Sequence, residues 1–153
     1  MINQLMVMNI VRFLHTLFTV LWIGGLVLTA FVILPGIRKN PKVSEPMVAI
    51  DGIQDRLKPF ALTSMAGLVI TGLLLGRSSK NFTGLMGFGT TYMTALSIKH
   101  ILIVVMVILA FVRLSINKRV KVEKKPQLQK ASAGVLVLNA LLGIVVLFLS
   151  SMV

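Results

Sequence analysis

The chain has 153 residues, of which 56% are hydrophobic and only 13% are charged, and its mean hydropathy is +0.94. A soluble domain carries about 25% charged residues, so this composition excludes an ordinary soluble domain and a disordered chain and indicates a membrane protein. The net charge of +12 comes from basic residues that fall between apolar stretches, which indicates membrane topology rather than nucleic-acid binding. The lack of cysteine excludes disulfides, zinc–thiolate sites, iron–sulfur clusters and thiol catalysis.

Four apolar stretches are long enough to cross about 30 Å of hydrocarbon. They cover approximately residues 7–34, 60–75, 92–116 and 133–153. Pro35 and Gly36 are expected to end the first stretch, and its length and the basic residues after it argue against a cleaved signal peptide. We therefore predict an all-α integral membrane protein, a four-helix bundle that forms a single domain.

The distribution of basic residues predicts the orientation of the chain. Twelve of the sixteen Lys and Arg lie in, or shortly before, the linkers 36–59 and 117–132. The positive-inside rule places both linkers in the cytoplasm and both termini outside, so we expect a multi-pass protein of the cell membrane. Within the first linker, Met47, Ile50, Ile53 and Leu57 recur at helical spacing and predict an amphipathic helix on the inner membrane surface.

Ionisable residues inside membrane spans are costly, so each is a candidate for function. The two histidines of the chain, His15 and His100, both lie in predicted spans, seven residues after Met8 and eight after Tyr92. Because the first and third spans run in the same direction, we expect both imidazoles roughly 10–12 Å below the outer surface. If these helices are diagonal in the bundle, the geometry suits two axial haem ligands or a two-coordinate metal. Hydrogen bonding to neighbouring helices is the alternative.

Other side chains in the spans are candidates for the same site. Arg12 and Lys99 lie level with the histidines or on their outer side, where they could pair with haem propionates, a quinone headgroup or lipid phosphate. Trp22 is a packing residue or a contact to the edge of a cofactor, and Asn139 is an interhelical hydrogen-bonding residue or part of the site. Most small residues of spans two and four are expected to allow close helix packing, among them Ser64, Gly67, Thr71, Ser132, Gly143 and Ser150.

The third span carries a pattern that resembles a known family. Tyr92, Leu96 and Lys99 are followed by an apolar helix that ends in Asn117-Lys118-Arg119, and a helix that contains Gly72 precedes them. This arrangement resembles the membrane domain of copper-resistance protein D (CopD), although methionine follows the tyrosine where the CopD pattern has glycine. With the first span included, the resemblance covers three of the four spans and implies a four-helix membrane bundle that handles copper or binds b-type haem.

The first span, from His15 through Trp22 to Leu26, is similar to the first helix shared by CopD-type proteins and the HemJ-type protoporphyrinogen oxidases. The HemJ-type pattern implies that His15 is a haem ligand and that Lys99 belongs to the same site. Pro35 lies further from Trp22 than the Pro-Arg pair of the HemJ-type pattern does.

Three functions follow from the sequence. The first is a b-type haem protein, and so a possible membrane oxidoreductase, that passes electrons between a quinone or porphyrin-like donor and an acceptor at the outer face. The second is copper uptake or resistance together with a partner protein, although Met65 and Met106 are the only soft ligands in mid-span. The third is a non-catalytic subunit of an oligomer or larger complex, in which the histidines only join helices.

Overall fold

The computed structural model describes residues 2–78, 91–123 and 125–151, and within these ranges every regular element is helical. The first helix, α1, is continuous but changes its hydrogen-bonding pattern twice. Two π-helical segments interrupt it, and its five successive segments are Ile2–Thr19, Val20–Gly24 (π), Gly25–Leu28, Thr29–Ile33 (π) and Leu34–Lys39.

Three further helices follow: α2 (Pro46–Ser78), α3 (Thr91–Glu123) and α4 (Pro126–Ser151). Both α2 and α4 begin with proline, which fits the first helical position because its backbone lacks a hydrogen that would have no partner there. Each of the four helices is long and apolar enough to cross a membrane, as predicted. Their arrangement as a bundle and the orientation of the termini remain predictions.

Large apolar side chains are exposed along all four helices. Phe13, Phe60, Phe111 and Phe148, one from each helix, are all more than half exposed. Soluble proteins rarely expose so much apolar surface, whereas hydrocarbon chains solvate it without cost. The exposed surface therefore indicates contact with the lipid bilayer.

Pro35 and Gly36 do not end the first helix, contrary to expectation, because α1 continues to Lys39; the end of the membrane span itself stays a prediction. A proline inside an α-helix leaves one carbonyl without its donor and clashes with the carbonyl four residues earlier, which here is that of Phe31. Phe31 lies in the π-helical segment Thr29–Ile33, where the wider turn already departs from the regular ladder of hydrogen bonds. The π segment thus accommodates Pro35 without ending the helix.

The predicted linkers are much shorter than the sequence suggested. Residues 40–45 alone separate α1 from α2, and the turn there is stabilised by the side chain of Asn40, which accepts a hydrogen bond from the backbone of Lys42 at 3.0 Å. Within the predicted linker 117–132, residues 117–123 and 126–132 are helical. Helix α3 extends past its apolar stretch because residues 117–123 contain no glycine or proline that would break a helix.

The amphipathic segment of the first linker is continuous with the second span in α2, which passes through Pro59 without a break. Its apolar face is turned inward, since Ile50 is buried while Asp55 and Arg56 are exposed. The segment Leu34–Lys39 of α1 packs against α2. The helical periodicity of this segment was therefore predicted. Its apolar face, which was expected on the inner membrane surface, contributes to the protein core through Ile50.

The described residues form two compact units. One contains α2 together with α1 up to Gly25 and from Leu34 onward. The other contains α3, α4 and residues Leu26–Ile33 of α1. Small and polar side chains are prominent in the core of the second unit, whose buried residues include Ala95, Ser97, Ser132, Asn139, Ala140 and Gly143. Such residues allow helix backbones to approach closely in a membrane.

Candidate functional site

His15 lies against α2 in the first unit. Its Nδ1 atom is 2.8 Å from Oγ1 of Thr71, a residue that is only 5% exposed. Thr71 Oγ1 also lies 2.6 Å from the carbonyl oxygen of Gly67, one turn earlier in α2. Because a carbonyl only accepts, the single hydroxyl hydrogen of Thr71 goes to Gly67, and the hydroxyl oxygen accepts from His15 Nδ1–H. In its neutral form the imidazole is therefore the Nδ1–H tautomer, which carries its lone pair on Nε2.

Gly67 of α2 allows α1 to come this close, and Gly72 lies beside His15. A Cβ atom at Gly67 would overlap the ring of Phe18, so the aromatic ring rests directly on the α2 backbone. A Cβ atom at Gly72 would lie 3.6 Å from Cε1 of His15, an ordinary van der Waals distance. The contact between α1 and α2 thus follows the small-residue packing of membrane helices, with Phe18 and His15 seated one turn apart.

His100 has a different partner in the second unit. Its Nδ1 atom is 2.7 Å from the carbonyl oxygen of Leu96, one turn earlier in α3. This carbonyl is also an acceptor only, so His100 donates Nδ1–H, and in its neutral form the ring carries its lone pair on Nε2. Both histidines of the chain therefore have the same tautomer, although one is held by a neighbouring helix and the other by its own.

The polar residues that accompany His15 on α1 are satisfied within that helix. Thr16 donates to the carbonyl of Arg12 at 3.0 Å, and Thr19 donates to the carbonyl of His15 at 2.8 Å. Such bonds to the preceding turn are common for threonine in membrane helices. Arg12 itself is exposed. Trp22 is 3% exposed and lies in the π segment Val20–Gly24, which packs against α2. Its burial fits the packing role that the sequence offered as one alternative.

In the second unit, Asn139 joins α3 and α4. It is 1% exposed, and its Nδ2 donates to the carbonyl of Met106 at 3.2 Å. Its Oδ1 has no hydrogen-bond partner within the described part of the chain. A second link between the two helices joins the hydroxyl of Ser132 to the side chain of Asn117. Interhelical bonding, one of the two roles predicted for Asn139, is thus present.

The six predicted site residues divide equally between the two units. Arg12, His15 and Trp22 belong to the first, and Lys99, His100 and Asn139 belong to the second. Lys99 is half-buried next to His100 in α3. Tyr92, the predicted outer start of the third span, lies in the first turn of α3. The equal depth of the two histidines remains a prediction.

Among the residues that the structure describes, no three or more His, Asp or Glu side chains are grouped so that they could hold a metal ion. A closed tetrahedral site of the structural zinc type needs four protein ligands. Two imidazoles are sufficient for axial ligation of a haem iron, because the macrocycle supplies the remaining ligands.

Thr71 is the residue whose role the sequence did not reveal. It was grouped with Ser64 and Gly67 as a packing residue, because all three are small and follow helical spacing. The only hint of this role in the sequence is that Thr71 is a polar residue directly before Gly72, on a helix face that otherwise carries small residues. Nothing in one sequence pairs that face with His15, since 56 residues separate His15 from Thr71.

The chain was compared with protein-family models, with curated proteins and with solved structures, and no match was found in any of the three.

Proposed function

We propose that this protein is an integral membrane protein that binds b-type haem, with His15 and His100 as the axial ligands. In this proposal the four helices form a bundle in the cell membrane with both termini outside, and the histidines lie in its outer half. A bis-histidine haem supplies one-electron redox chemistry. The protein then serves electron transfer between a quinone or porphyrin-like donor and an acceptor at the outer face.

The observation that carries the proposal is the shared tautomer of the two histidines. Histidines that ligate metals almost always donate their other ring N–H to a backbone carbonyl or another acceptor, which fixes the ring and makes the ligating nitrogen more basic. His15 meets this condition through Thr71 and His100 meets it through Leu96. In each ring Nε2 carries the lone pair that a haem iron requires.

Two basic residues adjoin the proposed ligands. Arg12 precedes His15 by three positions and therefore lies on the same face of α1. Lys99 directly precedes His100 in α3. Charge-assisted hydrogen bonds from such side chains to carboxylates are about twice as strong as those between neutral groups. In this proposal Arg12 and Lys99 hold the haem propionates and so orient the group in the membrane.

Copper binding is the second candidate, because imidazole nitrogen suits copper as well as iron. The CopD-type pattern around Lys99 supports it. The thioethers of Met65 and Met106 do not extend the copper site into a path across the membrane, because Met106 is fully buried and the chain has no cysteine. In a non-catalytic subunit, the same histidine contacts would serve helix packing alone.

A titration of the purified protein with hemin or Cu(I) separates these functions. We expect wild-type protein to bind one hemin per chain with a low-spin spectrum, and His15→Ala and His100→Ala each to lose that spectrum. Thr16→Ala is the matched control, because Thr16 lies next to His15 but its hydroxyl bonds to its own helix. A low-spin spectrum that persists in both histidine variants would refute the haem proposal. Cu(I) bound in place of hemin, with the same dependence on the histidines, would establish the copper function.

A further inference from the structure

The two histidines are held in different ways, and this difference has a consequence for the proposed site. The ring of His100 depends on Leu96 of its own helix, so its tautomer is fixed as soon as α3 is helical. The ring of His15 depends on the side chain of Thr71 in α2, at a distance of 2.8 Å. The acceptor for His15 therefore exists only when α1 and α2 are packed together.

Thr71 is restricted to the role of acceptor by its own surroundings. Its hydroxyl hydrogen is committed to the carbonyl of Gly67 at 2.6 Å, and a further carbonyl, that of Leu68, lies at 3.4 Å. Neither carbonyl can donate in return. The oxygen of Thr71 is thus left to receive a hydrogen from His15, and an imidazole with an unprotonated Nδ1 would meet a hydroxyl that has no hydrogen left for it.

The packing around this bond also fixes the position of the ring. Phe18, one turn from His15 on α1, rests on the backbone at Gly67, and Cε1 of His15 lies beside Gly72. Thr71 stands between these two glycines in α2. The imidazole is therefore hydrogen-bonded at Nδ1 by Thr71, and its Cε1 edge faces Gly72, so Thr71 sets the tautomer and anchors the ring on α2.

We propose that Thr71 is a positioning residue that fixes His15 as the Nδ1–H tautomer, so that packing of α1 on α2 prepares Nε2 of His15 as a ligand. The His100 half of the site forms within α3 alone. The consequence for haem binding rests on the proposed function, whereas the assignment of the tautomer does not.

The test uses nitrogen-15 NMR of the 153-residue chain, labelled at histidine and free of haem, at pH 9. In wild-type protein both histidines should show a protonated Nδ1. Thr71→Val keeps the shape of the side chain but cannot accept a hydrogen bond, so we expect the His15 proton to move to Nε2. Thr71→Ser should preserve the wild-type tautomer. His100 provides an internal control in every sample, because its acceptor is a backbone carbonyl.

Thr63→Val serves as the matched control, because Thr63 is an exposed threonine of the same helix. Hemin affinity is measured on the same variants, and we expect Thr71→Val to weaken it about 10- to 100-fold, as loss of a partner of a ligating histidine does. An unchanged His15 tautomer in Thr71→Val, or an unprotonated Nδ1 of His15 in the wild type, would overturn the role of Thr71. If wild-type protein binds no hemin, the haem proposal fails, and the NMR result still decides the role of Thr71.

Discussion

Each histidine donates its Nδ1 hydrogen inside the protein, and each acceptor is positioned by helical geometry. For His100 the acceptor is the carbonyl of Leu96, four residues earlier in α3, and for His15 it is the hydroxyl of Thr71 in α2. The sequence identified both histidines because ionisable groups are rare in membrane spans. It could not identify Thr71, because the pairing depends on how α1 packs on α2 and not on spacing within either helix.

Asn139 provides a test at the scale of a single residue. Its amide donates one hydrogen bond to Met106, but its Oδ1 is buried without a partner in the described part of the chain. Asn139→Leu removes the bond and the unpaired acceptor together. Since an interhelical hydrogen bond in a membrane contributes about 0.6 kcal/mol on average, we expect the free energy of unfolding to change by less than about 1 kcal/mol.

Reversible unfolding in mixed micelles measures this change, with Leu138→Ala as a control at an exposed neighbouring position. Asn139→Ala should be more destabilising than Asn139→Leu, because it leaves a cavity in the core. If Asn139→Leu instead destabilises the protein by more than about 2 kcal/mol, Oδ1 has a binding partner and Asn139 is more than a link between α3 and α4.

At the scale of elements, the existence of the four helices was predictable but their ends were not. Hydropathy locates the apolar stretches, whereas α2 and α3 each extend to 33 residues by continuing into polar segments. The two π segments of α1 had no signal in the sequence that distinguishes them from α-helix. Each π turn holds more residues than an α turn and so rotates the side chains that follow it about the helix axis. Consistent with this, Val20–Gly24 packs on α2, whereas Thr29–Ile33 packs on α4.

Gly67 tests the packing of α1 on α2. Gly67→Ala places a methyl group where the ring of Phe18 lies, so the ring must move from its seat on α2. We expect a loss of about 1–3 kcal/mol in the free energy of unfolding, as for other overpacked sites. Gly52→Ala in the same helix is the matched control, because nothing lies within 4 Å of its new Cβ atom. There the higher helix propensity of alanine should stabilise the protein by up to about 1 kcal/mol. Equal effects of the two substitutions would show that Phe18 does not rest on Gly67.

At the scale of the whole molecule, composition and charge predicted a multi-pass membrane protein, and the four long apolar helices agree with that class. The orientation rests on twelve of sixteen basic residues on one side. Helix geometry cannot decide the orientation, because a set of apolar helices fits a bilayer equally well in either direction. The distribution of Lys and Arg sets the orientation while the chain is inserted into the membrane. The orientation can therefore be predicted from the sequence but not from the folded helices.

Single cysteines can test the orientation directly, because the natural chain has none. We expect Gln4→Cys to react with an impermeant maleimide in intact cells, whereas Ser44→Cys and Gln127→Cys react only after permeabilisation. All three positions are exposed, and they lie at the start of α1, between α1 and α2, and at the start of α4. The reverse pattern would invert the topology and move both histidines to the inner half of the membrane.

The central claim is that His15 and His100 together ligate one haem. The most direct measurement is the absorption spectrum of the protein purified in mild detergent, oxidised and then reduced with dithionite, with iron and copper determined on the same sample. The proposal predicts a Soret band, sharp α and β bands on reduction, and about one iron per chain, all lost in His15→Ala and in His100→Ala. A colourless protein that neither contains iron nor takes up added hemin would contradict it.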